Sequence, residues 1–160
     1  MRIGVLSDTH LSHLTQAFIE FVENRFGDCQ LLVHTGDFTT PEVYYYLRDT
    51  LSKNFVAVHG NMDPPELRSL LRDKLIVNVE GVKIGVIHGW GPRGGLRQRV
   101  LSRFEFVDIL IYGHSHEPFA DWIDGVFLIN PGSCAGNMDG SRSCLLLELG
   151  DAIRATPVSV

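Results

Sequence analysis

Asp8 with His10, Gly36-Asp37, Gly60-Asn61, His88-Gly89 and Gly113-His114 with His116 place metal-binding side chains directly after apolar, strand-like runs. Together they supply two carboxylates, one amide and four imidazoles, the ligand inventory of a two-metal hydrolytic centre. Each piece alone says little, since Gly-Asp is usually a turn and a lone strand-end histidine is usually a core or turn residue. Their recurrence carries the information, because residues that follow successive parallel strands converge at one edge of an open α/β sheet. In Asp8-Thr9-His10 an extended backbone would point both side chains the same way. His114-Ser115-His116 repeats that spacing with softer ligands, suited to Mn, Fe, Co, Ni or Zn rather than Mg or Ca. Gly36 lets the chain turn sharply so that Asp37 projects beyond its strand.

The elements that must position these residues are readable from hydrophobic periodicity. Apolar runs and helical patterns alternate through Ile3 to Leu6, Leu14 to Phe26, Leu31 to His34, Glu42 to Leu51 and Phe55 to Val58, a βαβαβ order that favours parallel strands under crossover helices. Ala17, Phe18, Phe21, Val22 and Phe26 form the core-facing stripe of the first helix. Asp63-Pro64-Pro65-Glu66 resembles a helix start, with Asp63 as cap, Pro64 at the first helical position and Glu66 closing a capping box before Leu67 to Leu71. Leu75 to Val79 and Lys83 to His88 flank a Glu80-Gly81 turn and suggest a hairpin. Leu96 to Phe104 reads as helix. Strands follow at Ile109 to Tyr112, Phe119 to Ile123, Val126 to Ile129, Ser143 to Glu148 and Ile153 to Val158. An antiparallel tail after a parallel start implies a mixed sheet or two stacked sheets, and residues 1–160 read as one domain without repeats or linkers.

Composition sets the limits. The chain has 160 residues, 44% of them hydrophobic and 21% charged, and a formal net charge of -5; that acidity argues against stable nucleic-acid binding, which rests on clustered Lys and Arg. A phosphate substrate would need local positive charge, which bound metal ions supply. No apolar run approaches the roughly 20 residues of a membrane span, and the opening strand is too short for a signal peptide, so the expected location is cytoplasmic. Cys29, Cys134 and Cys144 are odd in number without CxxC spacing and read as reduced, structural thiols.

With DxH, GD, GN, HG and GHxH in this order, and Asn130-Pro131-Gly132-Ser133 following, the chain resembles the calcineurin-like metallophosphoesterase family. The likeness is strongest to its small bacterial and archaeal phosphodiesterase branch, which also includes the eukaryotic retromer scaffold subunit. The resemblance implies an α/β fold, a four-layer α/β/β/α sandwich with two stacked mixed sheets and metals at the strand ends. It implies that Asp8, His10, Asp37 and His116 hold one divalent ion and Asp37, Asn61, His88 and His114 the other, with Asp37 bridging. Two such ions, Mn first and Ni, Co, Fe or Zn as alternatives, would outweigh the two carboxylates and attract a phosphate. The implied reaction is attack of a metal-bridging hydroxide on the phosphorus of a small, nucleotide-derived phosphodiester. The alternatives are a phosphomonoesterase or a non-catalytic protein-binding scaffold of the same fold.

Two departures bear on chemistry. Many relatives carry a histidine after Gly-Asn, often assigned as the acid that protonates the leaving group, where this chain has Met62. His59 could substitute for it, or be a partly buried strand-end residue. Where HGH is common, this chain has His88-Gly89-Trp90. Trp90 could stack on a base or aromatic leaving group, or simply cover the loop; Arg93, Arg97 and Arg99 could contact phosphate, or form a solvated helix face. His34 reads as structural beneath Asp37 and His13 as lying near the first helix start. The Tyr44-Tyr45-Tyr46 run is apolar enough for an oligomer interface, although one or two of these rings are expected in the core.

Overall fold

Period-two alternation in the strands sorts side chains into three apolar layers and so fixes the architecture. The computed structural model describes residues 1–49, 54–136 and 139–160. Its elements run β1 (Arg2–Leu6), α1 (Gln16–Phe26), β2 (Leu31–His34), α2 (Pro41–Asp49), β3 (Asn54–Ala57), α3 (Pro65–Leu70), β4 (Lys74–Val79), β5 (Val82–Ile87), α4 (Leu96–Leu101), β6 (Ile109–Tyr112), β7 (Phe119–Ile123), β8 (Val126–Asn130), β9 (Ser143–Glu148) and β10 (Arg154–Ser159). One five-stranded sheet has the order β10-β9-β1-β2-β3 and the other β4-β5-β6-β8-β7. Both are mixed: β1, β2 and β3 are mutually parallel, as are β5, β6 and β8, while β9, β10, β4 and β7 pair antiparallel.

Ile3 and Val5 of β1, Leu31 and Val33 of β2, and Ile109 and Ile111 of β6 meet between the sheets. Their alternates Leu6 and Leu32 pack outward against Phe18, Val22 and Phe26 of α1, Val43 and Leu47 of α2, and Leu67 of α3. On the opposite side Leu110, Tyr112 and Leu128 pack against Leu96 and Val100 of α4. The result is the expected α/β/β/α sandwich, held by burial of apolar area on both faces of both sheets. Parallel register brings the ends of β1, β2 and β3 level, with Leu6 beside His34 and His34 beside Ala57, and likewise sets Ile87 beside Tyr112. The DxH, GD, GN, HG and GHxH loops therefore all leave the same rim of the sandwich. No helix among the described residues is long and apolar enough to cross a membrane.

Several local expectations are corrected. The first helix starts at Gln16 rather than Leu14 because Thr15 caps it, its hydroxyl accepting from the Phe18 N–H at 3.2 Å; Ala17 in its predicted stripe is exposed. The second helix was expected to reach Leu51, which lies outside the described residues. The capping box at 63–66 does not form: Pro64 occupies the cap position without a side-chain cap bond, and Glu66 instead accepts from the Tyr45 hydroxyl. The Asp63 carboxylate is taken by three backbone N–H groups of the site loops. The fourth helix ends at Leu101 rather than Phe104. Tyr44 and Tyr46 are buried, as expected for core residues, and all three cysteines are buried thiols.

Candidate metal centre

Asp8 is fully buried and Asp37 is 3% exposed, so two carboxylates share one nearly solvent-free corner at the sheet rim. Like charges there would repel strongly in the absence of cationic partners. Histidine rings converge on them. His116 Nε2 lies 3.1 Å and His10 Nε2 3.6 Å from Asp8 Oδ1, while His88 Nε2 lies 3.3 Å and His10 Nε2 3.8 Å from Asp37 Oδ2. Asn61 Oδ1 is 3.2 Å from His88 Nε2, and the Nε2 atoms of His10 and His116 face each other at 3.3 Å. Donor atoms of Asp8, His10 and His116 form one group within 4.8 Å, and those of Asp8, Asp37 and His88 form another. His114 stands a step outside: its ring meets His88 edge-on at 5.3 Å, and its Nε2 hydrogen-bonds the Gly91 carbonyl at 2.9 Å.

The electrostatics show what this corner lacks. Burial, the largest influence on Asp8, drives its carboxyl upward but is outweighed by hydrogen bonds from His10, His116 and Ser7 and by the charge of His88, leaving it well below the usual carboxylate range. Asp37 is also lowered: burial opposes ionisation, and the His88 hydrogen bond and charge, with the Met62 N–H, overcome it. The partners move the other way. The Asp8 hydrogen bond raises His116, and His88 is raised despite its burial by Asp37 and Asp8. Protons are thus drawn onto the same Nε2 positions that a divalent cation would take, which is how a hard and borderline donor set behaves toward cations. The residues fit metal ions. Second partners aim the rings: His88 Nδ1 meets the Thr35 carbonyl at 2.8 Å and His116 Nδ1 the Gly136 carbonyl at 3.1 Å, directing each Nε2 inward.

The loops reach this geometry by a route different from the extended one expected of DxH and GHxH. Asp8, His10, Asp37, His114 and His116 all have positive φ, between 44° and 70°. Asp and His tolerate this left-handed region better than most residues, and functional sites are where such strain is retained. The intervening Thr9 and Ser115 turn inward and are buried. Glycine is required where the GD and GN loops touch. Gly36 has φ +101°, a Cβ there would lie 2.5 Å from the Gly60 nitrogen, and one on Gly60 would strike the Asp37 carboxylate and lie 2.6 Å from its backbone nitrogen.

Several supporting residues were missed or only partly foreseen. Asp63 Oδ2 accepts from the N–H groups of Asp37 (3.0 Å) and Gly60 (2.8 Å), and its Oδ1 from Thr39 N–H (3.0 Å), tying the GD loop to the GN loop. Its position before two prolines disguises this role as a helix cap. Ser7 hydrogen-bonds Asp8, and Thr35 Oγ1 donates to Ser7 Oγ at 2.5 Å. Asn130 Nδ2 donates to the Gly113 carbonyl at 3.0 Å and to Ser115 Oγ at 3.1 Å, and Ser133 Oγ donates to the Asp8 carbonyl at 2.9 Å. The Asn-Pro-Gly-Ser turn therefore steadies both DxH and GHxH. His34 is structural as expected: it stacks on Phe38 at 3.6 Å, its Nδ1 accepts from Gly36 N–H, and burial pushes its ring down to about 3.

Of the remaining predicted site residues, His59 and Trp90 line a cavity together with Asn61 and His88, whereas Arg93 lines a different one with Tyr112 and Ser115. Met62 is exposed, and only its backbone N–H meets the site, at 2.7 Å from Asp37 Oδ1. Arg97 is occupied by Glu117, the Tyr112 hydroxyl and the Phe119 ring. Arg99 donates to the Trp90 and Gly94 carbonyls of the preceding loop.

Residues 1–152 match the family described as the calcineurin-like phosphoesterase superfamily domain. A probable metallophosphoesterase of Methanocaldococcus jannaschii is 39% identical, over 100% of this chain and 82% of its own length. A phosphodiesterase of the same organism is 29% identical over 92% of this chain and 93% of its own. Among solved structures, an archaeal phosphodiesterase superposes with a TM-score of 0.77 at 26% identity, covering both chains fully. Vps29 from Entamoeba histolytica, solved with zinc, superposes with 0.72 at 29% identity over 99% of each chain.

The Asp63 clamp has a measurable consequence. Asp63→Ala leaves three loop N–H groups without their acceptor and should lower unfolding free energy by about 3 kcal/mol, whereas Asp63→Asn, which keeps one oxygen, should cost about half as much. Urea denaturation read by circular dichroism checks this, and equal stability of the three proteins would show that the clamp is dispensable.

Proposed function

The chain belongs to the calcineurin-like phosphoesterase superfamily, and from that membership we propose that it is a dinuclear metal-dependent phosphodiesterase acting on small diesters. The single observation that carries this reading is the convergence at one rim of Asp8, His10, His116, Asp37 and His88, whose donor atoms form two groups each within 4.8 Å, with Asn61 against His88 at 3.2 Å. Asp37 Oδ2, between His10 and His88, suits the bridging role, with Asp8, His10 and His116 around one ion and Asn61, His88 and His114 around the other. With Nε2 of His114 on the Gly91 carbonyl, its Nδ1 would be the nitrogen left to hold an ion. Two divalent ions held there, with Mn ahead of Ni, Co, Fe or Zn, would activate water at neutral pH and turn positive charge toward the phosphate. Asp8 and Asp37 stay ionised to hold that charge, and the left-handed loops keep the ligands fixed while the substrate turns over.

The leaving oxygen also needs a proton. Met62 has none to give, and His59, on the cavity wall beside Asn61 and His88, is the nearest candidate. Its Nδ1 meets the Gly60 carbonyl at 3.3 Å, which leaves Nε2 for proton transfer. Trp90 and Arg93 would contact the substrate from two sides of the Gly-rich loop. A monoester dianion reacts through a looser transition state that places more charge on its leaving oxygen than a diester's does, so weak acid catalysis penalises monoesters more.

Purified protein supplied with Mn, Ni or Co should hydrolyse bis(p-nitrophenyl) phosphate faster than p-nitrophenyl phosphate. Absence of turnover with every metal, together with absence of bound metal, would sink the reading. Asp37→Asn should reduce turnover at least about 100-fold with the fold retained; an unchanged rate refutes the bridge. Met62→His should speed alkyl-leaving diesters about 10- to 100-fold and leave p-nitrophenyl esters little changed, because only poor leaving groups need the added acid. A uniform effect across leaving groups would contradict that role.

The second reading, a protein-binding scaffold of the same fold, is supported by the likeness to Vps29 and by Phe106 (76% exposed) and Ile76 (53% exposed) beside one surface cavity. Anomalous scattering from metal-soaked crystals separates the two: an ordered metal pair favours the enzyme, and a centre that stays empty favours the scaffold.

A further inference from the structure

The wall of the metal centre facing α3 and the 89–95 loop is a built cavity of about 260 Å³. Its lining includes Asn61 and His88 of the ligand cluster, with His59, Arg68, Trp90 and Arg103 around them. A group esterified to a phosphate at the cluster has this cavity as its neighbouring space. The Trp90 side of it is fixed before any ligand arrives. Arg99 donates through Nε and Nη2 to the Trp90 carbonyl at 3.2 and 3.1 Å and through Nη1 to the Gly94 carbonyl at 2.8 Å, and it also meets the Pro92 carbonyl. His114 holds the Gly91 carbonyl between them. The loop is thereby anchored to α4 and to the metal centre at once, while the Trp90 side chain itself remains 40% exposed. A large aromatic ring left exposed on a backbone so firmly held is pre-organised for stacking.

The charges around the ring point the same way. The Arg103 guanidinium lies 5.4 Å from the Trp90 ring centre and is held by Asp73 at 3.2 Å. Arg68 spends its donors on the carbonyls of Asn61 and Asp63 and, among the described residues, has no carboxylate partner, so its positive charge persists at the cavity wall. A partly exposed indole in a cavity that two guanidinium groups also line suits an electron-rich planar ring next to a phosphate. Its volume lies below the roughly 300–1,000 Å³ of pockets for drug-sized ligands, a size that suits one ring system on the substrate's ester arm.

Building on the phosphodiesterase reading, we infer that this cavity is a recognition pocket for a single planar aromatic ring system, such as one nucleobase, carried on an ester arm of the substrate and stacked on Trp90. The substrate class is then a diester with one nucleoside or aryl arm.

Zinc-loaded protein in a Trp122→Phe background keeps Trp90 as its sole tryptophan, since the sequence has two, and Trp122 sits on β7 at the far edge of its sheet from β4. AMP, ribose 5-phosphate and inorganic phosphate are titrated by calorimetry, with Trp90 emission followed in parallel. AMP should quench Trp90 saturably and bind about 10-fold tighter than ribose 5-phosphate. Trp90→Ala should bring the two within about twofold of each other, and Trp90→Phe should restore most of the preference. Equal affinity for AMP and ribose 5-phosphate in the parent protein, or an AMP preference that survives Trp90→Ala, overturns the pocket. Phosphate binding and diester turnover without a base preference would overturn the pocket alone. Failure of metal, phosphate and turnover together would overturn the phosphodiesterase reading and the pocket with it.

Discussion

Two carboxylates buried side by side are the constraint on which this rim of the molecule depends. Asp8 and Asp37 cannot both be ionised in a nearly dry corner unless positive charge and N–H donors surround them. Every loop at the rim contributes to that requirement: His10, His88 and His116 through their rings, Ser7 through its hydroxyl, Met62 and His114 through backbone N–H groups. Protonated imidazoles meet it partially, and divalent cations would meet it fully, with the same nitrogens available as ligands. The cost of burying the two charges is therefore also the source of cation affinity, and an acidic chain can still present a positive face to phosphate once the cations are in place.

Such a corner would relax if its loops could move, and the second tier of contacts prevents that. Asp63 fastens the GD loop to the GN loop, Asn130 fastens the turn after β6, and Ser133 holds the Asp8 carbonyl. Ligands held in the left-handed region carry strain, and these contacts are what over-determine the conformation enough to keep it. The clamp residues come from different elements, so the two sheets are joined at the rim by polar contacts as well as by the apolar layer between them. Asn130 and Ser133, from the end of β8 in one sheet, reach loops belonging to both.

Much of this was legible because strands declare themselves by alternation and ligands by their place at strand ends. Ile3/Val5 against Leu6, or Ile109/Ile111 against Leu110/Tyr112, separates two faces by sequence position alone, and parallel order then gathers the loops. What was not legible is conformation set by distant partners. The left-handed Asp8 and His10 arise from backbone bonds to Gly36 and Asp37 carbonyls across the loop pair, which no local spacing encodes. Asp63 was misread because its immediate neighbours, two prolines and a glutamate, satisfy a helix-cap pattern, whereas its actual partners lie about 25 residues upstream and three residues away. Arg99 was obscured similarly: its helix position suggests a solvated charge, yet it bonds carbonyls in the preceding loop.

A division of labour between backbone and side chain runs through the loops of this rim. Position 62 serves Asp37 through its N–H, a contact that any residue but proline can make, so the exposed Met62 side chain is left free of that duty. Position 90 is fixed through its carbonyl on Arg99, so its side chain is released to shape the neighbouring cavity. Gly36 and Gly60, by contrast, admit no Cβ because their backbones touch each other and Gly60 meets the Asp37 carboxylate. Where the backbone carries the structural load, the side chain is available to set substrate preference. Where backbones must meet, the residue type is fixed by contact, and the motif reads as glycine followed by ligand.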